Sequence, residues 1–248
     1  MRGLVILPTY NEAGTILEVI NGVLASTPVV DVLVVDDASP DGTGKIADGV
    51  AAGEQRVQVL HRPGKGGLGP AYLAGFRHGL ERGYDAFIEM DSDLSHDPAD
   101  VARLLTGAAE ADLVIGSRYV PGGSTVNWSA GRRRLSRAGT LYAKLMLGLP
   151  LTDATSGFRC YRRELLETIP LGEITTEGYA FQIEMAWRAW TLGFNAREIP
   201  IVFTERREGA SKMSRRIVAE ALWRVFRWSL RMSRAPRRPN PRSVAAEG

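Results

Sequence analysis

Five short apolar runs, Leu4–Leu7, Val32–Val35, Val57–Leu60, Phe87–Met90 and Leu113–Ile115, recur through the first half of the chain. Rich in Val, Ile and Leu and too short to be helices, they have the character of strands buried on both faces. Helix-length segments separate them, roughly Ala13–Ala25, Thr43–Ala52, Gly69–Arg82 and Pro98–Ala109. This alternation predicts an α/β, Rossmann-like fold with a mostly parallel central sheet and helices on both faces. A Gly-x-Gly-x-x-Gly turn does not follow the first run, so the dinucleotide fingerprint is absent where it would be needed. Beyond Gly116 the alternation fades into Arg- and Gly-rich loops, with helices expected near Leu135–Leu147 and Tyr179–Leu192 and a strand near Ile199–Phe203.

Ligands of open α/β sheets sit beyond the carboxyl ends of the strands, so the polar residues that follow each run carry the functional reading. The first run leads into Pro8, Thr9, Tyr10, Asn11 and Glu12: Tyr10 can stack on a base and Glu12 can accept hydrogen bonds from it. The same residues also fit a strand end followed by a helix capped by Asn11. Val35 leads into Asp36, Asp37, Ser39, Asp41 and Gly42, where paired carboxylates suit a base or ribose and the remainder makes a turn. The fourth run delivers Asp91, Ser92 and Asp93, followed by Ser95, His96 and Asp97. Two hard oxygen ligands in an Asp-x-Asp pair suit Mg²⁺ or Mn²⁺ bridging a diphosphate. Glu12, Asp37, Asp91 and Asp93 gather on one sheet edge without matching bases nearby in sequence, a costly arrangement unless a cation lies there.

Cations come later: Arg118, then Arg132, Arg133, Arg134 and Arg137 around Ser136, then Arg206, Arg207 and Lys212. Guanidinium groups bind phosphate oxygens bidentately, and the Gly- and Ser-rich 206–214 segment suits a lid over a diphosphate. The chain has no Gly-x-Ser-x-Gly elbow and no Walker loop, and one Cys with three His gives no zinc cluster. His61, His78 and His96 are read as structural or peripheral. Cys160 cannot form an internal disulfide, and neither an opening signal segment nor an apolar run of bilayer length occurs, so a cytoplasmic location is expected. Between Arg215 and Arg234, residues Arg216, Glu220, Arg224, Arg227, Arg231 and Arg234 form a polar stripe, with Val218, Leu222, Trp223, Val225, Phe226 and Leu230 on much of the rest. Such a helix suits the headgroup plane of a membrane, or packing on a core with its arginines in water. The chain therefore divides into residues 1–212, an amphipathic helix over 213–234, and a basic tail over 235–248 that is expected to be disordered.

Pro8–Glu12, Asp36–Thr43, Gly66–Ala71, Asp91–His96, Gly116–Tyr119, Asp153–Arg159 and Gly209–Lys212, in this order over roughly residues 1 to 230, resemble the polyprenol (dolichol) phosphate mannose synthases of the family 2 inverting glycosyltransferases. The resemblance implies a GT-A fold, a metal-dependent glycosyltransferase activity, GDP-mannose as donor and polyprenyl phosphate as acceptor. It places Pro8, Tyr10, Glu12, Val35 and Asp37 at the guanosine, and Asp91, Ser92 and Asp93 at the donor diphosphate, with Asp91 and Asp93 as metal ligands. Arg206 and Lys212 would hold the donor phosphates; Arg118, Arg132 and Ser136, with Asp93, would form the catalytic set around the acceptor phosphate. Some members carry Gln where Ser95 stands. The lipid acceptor implies a peripheral position on the cytoplasmic face of the membrane, with or without a membrane-protein tether. The alternatives are a polyprenyl phosphate glucosyltransferase using UDP-glucose, a non-catalytic nucleotide-sugar-binding protein and a nucleic-acid-binding protein. The last is disfavoured because a binding motif for nucleic acid is lacking.

Overall fold

A computed structural model describes residues 1–205 and 215–232. Its main sheet has seven strands in the order β3-β2-β1-β4-β7-β5-β8: β1 (Gly3–Thr9), β2 (Val30–Asp36), β3 (Val57–His61), β4 (Ala86–Glu89), β5 (Leu113–Ser117), β7 (Arg159–Arg162) and β8 (Ala196–Pro200). A small parallel pair, β6 (Ser124–Val126) with β9 (Val202–Thr204), stands apart. Alternation along β1 divides the core in two. Leu4 and Ile6 face one layer with Phe76 and Phe181; Val5 and Leu7 face the other with Ile16, Val19 and Leu104. The second layer is closed by α1 (Ile16–Ser26), α2 (Thr43–Ala51) and α4 (Asp100–Gly107). The first is closed by α3 (Leu68–Glu81), α5 (Ala130–Leu147), α6 (Arg163–Thr168), α7 (Gly178–Thr191) and α8 (Arg215–Met232).

The five expected strands and the helices between them are present. The sheet is mixed, because β7 runs antiparallel between β4 and β5. Its sequence, Arg-Cys-Tyr-Arg, has no apolar run; Arg159 is nevertheless fully buried. The strand expected near Ile199–Phe203 is two strands in different sheets, divided at Ile201, whose N–H donates to the Ser117 carbonyl. The helix expected from Leu135 starts at Ala130, capped by the Ser129 hydroxyl. Asn11 is not a helix cap: it has φ 62° and lies in the loop before α1. The tail from residue 235 lies outside the described residues.

α8 does not stand free of the domain. Ala221, Val225 and Trp228 are buried, and Trp228 stacks on Trp187 of α7 with ring centres 5.4 Å apart. The opposite face exposes Leu222, Trp223, Phe226 and Leu230. Tyr142 of the adjacent α5 donates to the Leu222 carbonyl, and α5 exposes Leu135, Leu141 and Leu145.

Strand order reverses at β1, whose neighbours are β2 and β4, and a crevice forms at such a switch point. β4 stops pairing at Ile6↔Glu89, whereas β1 continues beside β2 through Pro8↔Val35. A proline is tolerated there because no strand on the β4 side asks for its missing N–H. The Ser92 hydroxyl donates to the Pro8 carbonyl and bridges the parting strands.

Candidate active site

The crevice is a cavity of about 410 Å³ whose lining includes Pro8, Tyr10, Glu12, Asp37, Asp91, Ser92, Asp93, Arg118 and Arg132. Loops with side-chain to backbone bonds shape its first wall. Asp41 accepts from the Ala13 and Thr43 N–H groups, Thr43 accepts from the Glu12 N–H, and Ser39 accepts from the Asn11 N–H, so the β1 and β2 loops brace each other. Asp36 is structural: it accepts from Thr9 Oγ1 at 3.0 Å and from both Oγ and N of Ser39. Asp37 faces the cavity but is already matched, by Arg62 Nη1 at 2.5 Å and the Gly66 N–H at 2.8 Å. The expected surplus of unmatched carboxylate is therefore smaller than the sequence implies, because Arg62 reaches Asp37 only through the pairing of β2 with β3.

The Gly66–Gly69 segment passes tightly under this wall. Gly67 has φ 89°, and a Cβ on Gly69 would stand 2.4 Å from the Thr176 carbonyl, so larger residues are excluded there. Just before it, Lys65 Nζ lies 4.1 Å from the centre of the Tyr10 ring and, among the described residues, pairs with no carboxylate.

Asp91 and Asp93 occupy the loop after β4, in which Leu94 has φ 62°. The Asp91 N–H donates to His96 Nδ1, the Ser95 N–H donates to Asp93 Oδ1, and Thr15 Oγ1 donates to the Ser92 carbonyl at 2.7 Å. His96 is buried and stacked on Phe158. Burial pushes it down to about 4, with the Asp93 charge opposing and the Arg118 charge adding, so it is neutral at neutral pH. It supports the loop instead of titrating in the cavity. Two hard-oxygen side chains on a braced loop fit a divalent cation that shares its coordination with a diphosphate. Among the described residues no group of three His, Cys, Asp or Glu forms a closed cage. Ser95 lines the cavity with its hydroxyl buried and without a partner.

Arginines form a second wall. Arg118 is buried and donates from Nε and Nη2 to the two oxygens of Asp153 at 2.7 and 2.6 Å, and from Nη2 to Thr155 Oγ1. Nη1 donates to no described protein atom, which leaves it for an anion. Ser136 does not line the cavity itself; its hydroxyl lies 3.2 Å from Thr155 Oγ1, which does. Arg132 donates to Glu205 at 2.8 Å and stands over Trp128. Arg159 fixes this wall from beneath, donating to the carbonyls of Ala154, Ser156 and Gln182. Beside it Glu89 is fully buried and accepts from Gln182 Nε2 at 2.8 Å. Burial pushes Glu89 up to about 7 against the pull of Arg159 and Gln182.

Of the site residues implied by the resemblance, all but Val35, Ser136, Arg206 and Lys212 line the cavity. Val35 belongs to the core, and Arg206 and Lys212 lie outside the described residues. His61 and His78 are peripheral, facing Asp48 and Gln58. Sequence reading gave no role to Arg62, Lys65, Trp128, Asp153, Thr155, Arg159 or Gln182; those from Asp153 to Arg159 fall in a stretch matched to the family, which was the available signal.

The family model described as Glycosyl transferase family 2 matches residues 4–170. The undecaprenyl-phosphate mannosyltransferase of Micrococcus luteus is 54% identical over 230 residues, 93% of this chain and 95% of the relative. The polyprenol monophosphomannose synthase of Mycolicibacterium smegmatis is 50% identical over 232 residues, 93% and 88% of the two chains. Among solved structures, glucosyl-3-phosphoglycerate synthase from Mycobacterium tuberculosis superposes with a TM-score of 0.64 at 22% identity, covering 90% of this chain and 80% of its own. A mannosyltransferase from Pyrobaculum calidifontis in complex with GDP-Man and Mn2+ gives 0.62 at 20% identity, covering 95% and 66%. These likenesses bear on the fold, and they agree with the expected GT-A architecture. With a strand-end carboxylate pair facing an arginine wall, and a family match over residues 4–170, the chain belongs to glycosyl transferase family 2.

Proposed function

We propose that the protein transfers mannose from GDP-mannose to a polyprenyl monophosphate, giving β-mannosyl phosphoryl polyprenol and GDP. The observation that carries this reading is one cavity with Asp91 and Asp93 on one wall and Arg118 and Arg132 on the other. It is supported by the names of relatives that are 50% and 54% identical over nearly the whole chain. Pro8, Tyr10, Glu12 and Asp37 receive the nucleoside, and Asp91, Ser92 and Asp93 face the diphosphate. Asp91 and Asp93 would hold a divalent cation, which when bound would supply positive charge beside the leaving diphosphate. Arg206 and Lys212 belong to the same set by sequence.

The acceptor phosphate brings its own anionic oxygen, so the arginine wall needs to position it, not deprotonate it. Arg118 offers Nη1 from a side chain locked by Asp153, and Thr155 relays Ser136 to the same place. The phosphate oxygen attacks the anomeric carbon, the bond from that carbon to the diphosphate oxygen breaks, and its electron pair leaves with GDP. One in-line displacement inverts the α-linked donor. The exposed apolar face shared by α5 and α8, with Leu145 74% and Trp223 59% exposed, suits a peripheral position on the cytoplasmic side of a membrane carrying the acceptor.

Labelled sugar from GDP-mannose and, separately, UDP-glucose, offered with short polyprenyl phosphates with and without Mn²⁺, tests the chemistry. Metal-dependent mannosyl transfer is expected, and glucosyl transfer alone would replace the donor. Co-sedimentation with anionic vesicles tests the surface. The pair Leu145→Glu and Trp223→Glu should reduce binding at unchanged melting temperature, and unchanged binding would remove α5 and α8 from the membrane contact.

A further inference from the structure

Trp128 belongs to the arginine wall of the cavity, against both Arg118 and Arg132. It follows β6 and Asn127, which has φ 63°, and precedes Ser129, the cap of α5. The side chain is only 6% exposed yet lines the cavity. Arg132 Cζ stands 4.2 Å from the indole centre and Arg118 Cζ 5.0 Å. Phe203 meets the ring edge-on at 5.2 Å and fixes its plane. Two guanidinium groups thus share one aromatic side chain.

The two arginines are held differently. Arg118 is clamped by a bidentate, buried carboxylate and needs little further support. Arg132 has one bond to a half-exposed Glu205, while its Nε is buried without a partner. Like charge on Arg118 opposes its approach, and Glu205, 39% exposed, is a partner open to water that holds it weakly. The negative face of the indole is the feature that holds Arg132 over the cavity, with its Nε N–H still to be satisfied. Cation–π attraction at a largely desolvated site, worth about tenfold, or about 1.4 kcal/mol, is large enough to decide where a flexible arginine rests.

We infer that Trp128 is a positioning residue: through its ring it keeps Arg132 beside Arg118, so that the two present converging donors to the acceptor's phosphate. This rests on the proposed reaction. It makes the aromatic ring, not the indole N–H, the functional part.

The test is steady-state kinetics with the full-length protein, Mn²⁺, GDP-mannose and a short polyprenyl phosphate, comparing Trp128→Leu, Trp128→Met and Trp128→Phe. Leu and Met should raise the acceptor KM about tenfold, the loss of a cation–π contact of this size, while the donor KM and kcat at saturating acceptor stay within about twofold. Phe, which keeps the ring, should restore most of the acceptor KM. Met fills more of the indole's space, so it serves if Leu fails to fold. An unchanged acceptor KM in Leu or Met, an equal rise in donor KM, or a Phe variant as impaired as Leu overturns the assignment. Absence of transfer by the unmutated protein would overturn the reaction itself, a different outcome from any of these.

Discussion

On the acidic side of the cavity, Asp36, Asp41 and Asp93 each accept from a residue two or three positions on, Ser39, Thr43 and Ser95, whereas Asp37 relies on distant partners, Arg62 and Gly66. On the arginine side, partners come from far along the chain. Arg118 and Asp153 are 35 residues apart, and Arg132 and Glu205 are 73 apart. Short-range bonds let a loop shape itself and leave Asp91 and Asp93 half-exposed, where a cation can reach them. Buried guanidinium groups allow no such latitude, since each needs a partner fixed by the fold before it can leave water. The contrast is between a wall built to receive charge and a wall built to hold charge already present.

The contrast can be broken at several points. The largest effect is expected at the receiving wall: Asp93→Ala should lower transfer more than about a thousandfold with an unchanged melting temperature. EDTA should do the same to the unmutated protein, and Mn²⁺ or Mg²⁺ should restore it; full activity in either case would sink the metal assignment.

Next comes the holding wall. Asp153→Ala strands a buried guanidinium and should cost about 3–5 kcal/mol in urea unfolding. Asp37→Ala, whose partner Arg62 is less buried than Arg118, should cost about 1 kcal/mol. A smaller loss at Asp153 than at Asp37 would reverse the comparison.

Beneath both walls, Glu89 adds a pH dependence. Its carboxyl is raised from 4.5 to about 7 in the folded protein, so the folded state holds the proton more tightly. Stability therefore falls as pH rises from 4.5 to about 7, and the loss is complete above that range, on the order of 3 kcal/mol in metal-free protein. Glu89→Gln should remove this slope between pH 5 and pH 8 in EDTA. Parallel slopes for the two proteins would show that Glu89 is ionised when folded.

The smallest expected effect belongs to Lys65. Lys65→Ala should raise the donor KM roughly fivefold, about 1 kcal/mol, and Lys65→Arg should restore it. If acceptor KM rises instead, Lys65 serves the arginine side and the division between the walls shifts.

Much of the first wall is legible in the sequence alone. Apolar runs that end in Pro8, Asp37 and Asp91 place those residues at one sheet edge once the strands are parallel, because parallel strands all finish on the same side. The second half was less legible. β7 has no apolar period, since its buried residue is an arginine whose charge is met by carbonyls of Ala154, Ser156 and Gln182. α8 read equally well as an interfacial helix or a packed one, and it is amphipathic on both counts: one stripe meets α7 and another, also apolar, faces out.

By itself, the sequence determined the α/β architecture, the family and the carboxylate pair, because hydrophobic period and strand-end chemistry are local properties. Tertiary structure decided the charge balance of the cavity. It assigned Arg62 to Asp37, Asp153 to Arg118, Glu205 and Trp128 to Arg132, and His96 to the back of the Asp91 loop. Pairing a buried charge depends on which groups the completed sheet brings within about 3 Å, and that distance has no counterpart in residue spacing.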